Sequence, residues 1–165
     1  MKELYFVRHA KSSWDDPSLR DHDRPLNNRG KRDAPRMAHR LVGLGTSPSG
    51  ILTSTAKRAR RTARAFREAF GLGKGDVIER EGLYHAGPRE IERELQKLPD
   101  DWTTVLVFGH NPGYTDLANR LQHDSYIDNV PTCGIIGARI QIDSWKDFRL
   151  ADATRTTFMY PKQVQ

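Results

Sequence analysis

With 165 residues, 36% hydrophobic and 29% charged, the chain has the size and composition of one globular domain, expected over residues 1–165, without the bias of a disordered segment or a membrane protein. Twenty-seven Lys and Arg against twenty-one Asp and Glu give a formal charge of +6, which favours anionic partners without saying which kind. A single cysteine, Cys133, excludes an internal disulfide and a thiolate metal cluster, and reads as an ordinary core or surface thiol.

The apolar run 4–7 predicts a first strand; it stops at Arg8, far too short for a signal-peptide core or a membrane span, so a cytoplasmic protein is expected. Residues 15–23 hold Asp15, Asp16, His22 and Asp23 in a Pro- and Asp-rich stretch without metal-ligand spacing, which reads as a solvated loop. Met37, Leu41 and Leu44 fall at helical spacing, and Pro35 predicts that this helix kinks or begins only near Asp33. Residues 45–50 read as a turn, and 51–53 as a second strand. A helix follows, with Ala59, Ala63, Phe66 and Phe70 on one face and Ser54 or Thr55 as its expected N-cap. Further helical periods are Ile91, Leu95 and Leu98, then Tyr114, Leu117, Ala118 and Leu121, on either side of an apolar strand at 105–108. Residues 123–134 read as a loop, 135–142 as an alternating strand, and 156–160 as another, antiparallel one. Strands alternating with helices predict a three-layer α/β/α sandwich around a mainly parallel sheet.

Ligands of open α/β sheets bind beyond the carboxyl ends of the strands, so the residues that follow each apolar run are the first candidates. The first strand runs into Arg8 and His9, the second into Ser54 and then Arg58, and the later one into Gly109 and His110. Two guanidinium forks and two imidazoles at one sheet edge suit a phosphoryl group. Lys57 and Arg58 also occupy the first turn of their helix, where the macrodipole disfavours cations unless an anion binds beside them.

The segments Arg8-His9-Ala10-Lys11-Ser12, Ser54-Thr55-Ala56-Lys57-Arg58-Ala59 with Thr62-Ala63, and Gly109-His110-Asn111-Pro112 resemble the histidine phosphatase superfamily. Arg24-Pro25-Leu26 with Gly30 and the short chain resemble, more narrowly, its small protein-phosphohistidine phosphatase group. That resemblance implies a phosphoglycerate-mutase-like fold, no metal or other cofactor, His9 as the phosphorylated nucleophile, and Arg8, Arg58 and His110 as its phosphate pocket. It aligns His85 with the acid of relatives that cleave phosphate esters; Glu81 is the nearby carboxylate, and a site with no dedicated acid stays open. Ala10 and Thr55 stand where many members have glycine and proline.

An imidazole leaving group has a pKa of about 6.5 and needs little protonation at neutral pH, whereas an alkoxide normally needs an acid. Phosphohistidine on a protein therefore fits better than phosphoserine, and the few residues between Phe70 and Thr103 leave no room for a long lid. The alternatives are a phosphomonoesterase acting on a small metabolite or nucleotide, and a phosphoprotein or nucleic-acid binding module using Arg60, Arg64 and Arg67 as a basic stripe. No aromatic residues run in register with that stripe, which disfavours nucleic acid. His22, His39 and His123 follow no strand and read as surface or structural residues.

Overall fold

The computed structural model describes residues 1–163. Six strands, β1 (Lys2–Arg8), β2 (Gly50–Ser54), β3 (Val77–Arg80), β4 (Thr104–Gly109), β5 (Ile135–Ile140) and β6 (Thr154–Met159), form a sheet in the order β3-β2-β4-β1-β5-β6. The pairs among β3, β2, β4 and β1 are parallel; β5 runs antiparallel to β1, and β6 to β5. The helices are α1 (Asn28–Gly43), α2 (Lys57–Ala69), α3 (Pro88–Leu95) and α4 (Gly113–Arg120).

Period-2 side-chain direction splits each central strand between two cores. Leu4 and Phe6 of β1, Leu52 of β2, and Val105 and Val107 of β4 pack with Ile91, Leu95 and Leu117 of α3 and α4. Val7, Ile51, Leu106 and Phe108 face the other way, onto Met37 and Leu41 of α1 and Phe66 of α2. Apolar residues on both faces are why the strands read as continuous runs, and the two cores make the three expected layers. Among the described residues no helix is long and apolar enough to cross a membrane.

Three expectations are corrected, and one strand, β3, was not expected. Of the two alternatives for α1, the start near Asp33 is excluded: the helix begins at Asn28 and runs through Pro35, Asn27 caps it by accepting from the Gly30 N–H at 2.9 Å, and buried Ala34, Met37 and Leu41 offset the hydrogen bond that Pro35 cannot make. Leu44 lies past the helix end and is 62% exposed. β5 stops at Ile140, and its first four residues are all buried instead of alternating, because both sheet faces are covered there. β3, with only Val77 and Ile78 apolar, sits half-buried at the sheet edge and gave no period to read.

Candidate active site

Register brings the three strand ends level. Phe108 of β4 is paired with Val7 of β1 on one side and Thr53 of β2 on the other, so Arg8, Ser54 and Gly109 end the strands together. The His9 N–H donates to the Gly109 carbonyl at 3.0 Å, and the rings of His9 and His110 lie 5.3 Å apart. Gly109 has no alternative: a Cβ there would meet the Tyr114 ring at 2.8 Å.

His9 is buried, and its Nδ1 lies 2.8 Å from the Ala10 carbonyl oxygen. A carbonyl only accepts, so the ring proton is on Nδ1 and Nε2 keeps a free lone pair. Burial, together with Arg58, Arg8 and Arg24, lowers the imidazole pKa to about 3, against the upward pull of the Ala10 carbonyl. The next residue ties this strand end to α2: the Ala10 N–H donates to Thr62 Oγ1 at 2.9 Å, and that hydroxyl donates to the Arg58 carbonyl at 2.8 Å.

His110 is held from the other side, its Nε2 2.8 Å from Ser54 Oγ, which also accepts from the Ala56 N–H at 3.2 Å. When the Ser54 hydroxyl gives its own proton to Nε2, both of its functions are used and His110 carries its proton on Nδ1. That nitrogen is buried and has no hydrogen-bond partner among the described residues, and the same holds for Nε of Arg8. Burial, then His9, Arg58 and His85, lower the His110 pKa to about 2. Arg8 is otherwise fixed by an Nη1 bond of 2.9 Å to the Val130 carbonyl, and Arg58 is 5% exposed. Buried donors without a protein partner beside a second guanidinium are suited to the oxygens of an anion.

Asp21, which the sequence pattern did not single out, holds the Arg58 fork. Arg58 donates from Nη1 to the Asp21 carbonyl at 2.7 Å and from Nη2 to Oδ2 at 2.9 Å; Arg24 donates to Oδ1 at 3.0 Å, and the Tyr84 hydroxyl to Oδ2 at 2.6 Å. Partial burial pushes the Asp21 carboxyl upward, but the hydrogen bonds from Tyr84, Arg58 and Arg24 outweigh it and hold the group well below the usual carboxylate range. The loop before α1 is thus part of the site and not merely solvated. His22 belongs to it too, with Nε2 2.9 Å from Thr55 Oγ1 and its ring edge-on to Tyr84. His39 and His123 are exposed, and His123 Nε2 meets the Asn119 carbonyl.

His85 stands at the rim. Its ring is 6.3 Å from that of His110 and stacks on Tyr84 at 3.9 Å, and its Nε2 is 3.7 Å from Asp21 Oδ2. Glu81 is exposed in a short turn before it. The α2 N-cap is Ala56, without a side-chain bond, because Ser54 is engaged with His110 and Thr55 with His22. Ala10 keeps negative φ; among the described non-glycine residues only His85 and Cys133 have positive values. Cys133 is buried, burial raises its thiol pKa, and its N–H bonds the Arg8 and His9 carbonyls.

The family model of the histidine phosphatase superfamily (branch 1) matches residues 4–111, a span that contains Arg8, His9, Arg58, His85 and His110. An uncharacterized protein of Mycobacterium tuberculosis is 34% identical over 165 residues, covering 94% of this chain and 100% of that one. A crystal structure from Agrobacterium tumefaciens, of a protein assigned as the phosphohistidine phosphatase SixA, is 28% identical with TM-score 0.78, covering 97% of this chain and 98% of that one. The protein histidine phosphatase SixA complexed with tungstate shares the fold, with TM-score 0.82, 21% identity and 99% coverage of both chains.

Proposed function

The chain belongs to the histidine phosphatase superfamily, and from that membership we propose that it is a phosphatase in which His9 takes the phosphoryl group, with protein phosphohistidine as the substrate class. The observation that carries the reading is the state of His9: neutral, with Nδ1–H held by the Ala10 carbonyl and Nε2 left with its lone pair beside half-buried Arg8 and buried Arg58. Nε2 attacks phosphorus while the P–N bond of the substrate phosphohistidine breaks; with the other ring nitrogen of that substrate already protonated, the bond's electron pair leaves on a neutral imidazole that needs no further proton. Water then attacks the phosphoryl group on His9, which regains its imidazole and releases phosphate. Arg8, Arg58 and the Nδ1–H of His110 hold the phosphoryl oxygens, supplying the positive charge that a metal ion supplies elsewhere. Tungstate on the related SixA is an oxyanion of the kind this pocket suits.

Leaving-group chemistry supports the substrate class. Asp21, the carboxylate beside Arg58, is held ionised and has no proton to donate, and Glu81 is exposed away from these contacts. An imidazole with a pKa of about 6.5 leaves without an acid, whereas an alkoxide does not. His85, at the rim, is left to assist or to position the substrate.

The test compares a phosphohistidine peptide with phosphoserine, phosphotyrosine and nucleotide substrates, in wild type and His85→Ala. A phosphohistidine preference of at least about a hundredfold is expected, with less than about a tenfold loss in His85→Ala, since general-acid assistance is worth about 10²–10⁴. Equal turnover of phosphoserine or a nucleotide, abolished by His85→Ala, would contradict the substrate class.

A further inference from the structure

Beside the site, between α1 and α2, lies a groove of about 680 Å³. Both helices follow parallel strands, so their N-termini lie at the end of the sheet that carries His9. The groove starts there, at Pro25 and Lys57, one residue each from Arg24 and Arg58, and runs to His39 and Ala69 at the far end. Its floor is Leu26, Ala34, Pro35 and Ala65, and its walls carry Lys31, Lys57, Arg61 and Arg64 against one carboxylate, Glu68.

The wall charges are ordered. Lys57, Arg61 and Arg64 recur on one α2 face at i, i+4 and i+7. Arg64 bonds Glu68 at 3.1 Å, while among the described residues Lys31, Lys57 and Arg61 meet no carboxylate. Three cations without a carboxylate partner around an apolar floor complement an anionic, partly apolar chain laid between them. From Lys57 to Ala69 the run is about 18 Å at a rise of about 1.5 Å per residue, the span of five or six extended residues. No Phe, Tyr or Trp lines the groove to stack a base, which favours a polypeptide over a nucleic acid.

We propose that this groove docks an acidic segment of the phosphorylated protein while its phosphorylated residue occupies the His9 pocket. The inference rests on the phosphoprotein reading of that pocket and adds the chemistry of the partner: acidic side chains toward Lys31, Lys57 and Arg61, small apolar ones toward Leu26 and Ala34.

Two phosphohistidine peptides, one flanked by Asp and Glu and one by Ser and Gly, are compared on wild type and on a Lys31→Glu, Arg61→Glu double variant. Among the described residues, neither substituted side chain shares a hydrogen bond or ion pair with Arg8, His9, Arg58 or His110. Wild type should show a KM at least about fivefold lower for the acidic peptide, an advantage that shrinks with added salt and disappears in the variant. Turnover of phosphoramidate, too small to reach the groove, should be the same in both proteins. An equal KM for the two peptides on wild type, or an acidic preference that survives in the variant, overturns the proposal.

Fluorescence polarisation of the unphosphorylated acidic peptide reads the groove without catalysis, so it separates this proposal from the substrate reading. If phosphoramidate and both peptides resist hydrolysis, the substrate reading fails, while weaker peptide binding by the variant still supports the groove. An RNA oligomer of matched charge that binds as tightly, and is lost in the same variant, would overturn the choice of partner.

Discussion

His9 and His110 are neutral for related reasons: each is buried, and each feels Arg58. The folded pKa values of about 3 and about 2 lie below the ordinary value of 6.5, so between these limits the unfolded chain binds protons that the native state refuses. Stability from these two rings is therefore fully present above pH 6.5 and declines as pH falls from there toward 3. In NMR titrations of the free protein, neither ring should show a midpoint between about pH 5 and 8. A midpoint near 6.5 for His9 would remove the electrostatic basis of its assignment. His9 and His110 were legible because each directly follows a strand, and Arg58 because it breaks the helix-dipole rule. Asp21 and Tyr84 were not, since they reach the site from irregular segments whose position depends on tertiary packing.

α2 joins two functions through one hydroxyl. Thr62 accepts from the Ala10 N–H, beside His9, and donates to the carbonyl of Arg58, so it sets the distance between the strand end and the arginine. Thr62→Val keeps the side-chain shape but leaves a buried N–H unpaired, which should cost about 1–3 kcal/mol in denaturant unfolding. Turnover should fall by more than oxyanion affinity, because attack depends on the His9 position more steeply than binding does. Unchanged turnover in a folded Thr62→Val protein would show that the link is not needed. Gly30 has a comparable role in α1: a Cβ would lie 2.2 Å from the Lys11 carbonyl oxygen, so only glycine lets this helix approach the segment after His9. The sequence showed that glycine's place in a pattern, but its reason is a close approach between segments distant in sequence.

On the scale of the molecule, continuous apolar runs at 4–7, 51–53 and 105–108 predicted strands covered on both faces, and they are the three adjacent central strands. Alternation of strand and helix predicted the layers, and the strand expected at 156–160 is present as β6, two residues earlier at its start and antiparallel to β5. Strand order was not, since it is fixed by packing of the helices on the two faces. That order brings β2, β4 and β1 side by side and turns three separate motifs into one pocket. The central claim is a phosphoryl group carried on His9, and rapid quench with labelled phosphohistidine peptide tests it most directly. Wild type should trap an acid-labile, base-stable phosphoenzyme that forms and decays at the turnover rate, in EDTA as without it. His9→Ala should trap none, and His110→Ala should label slowly. Near-wild-type turnover by His9→Ala, or a wild type that turns over without ever carrying the label, would contradict the account.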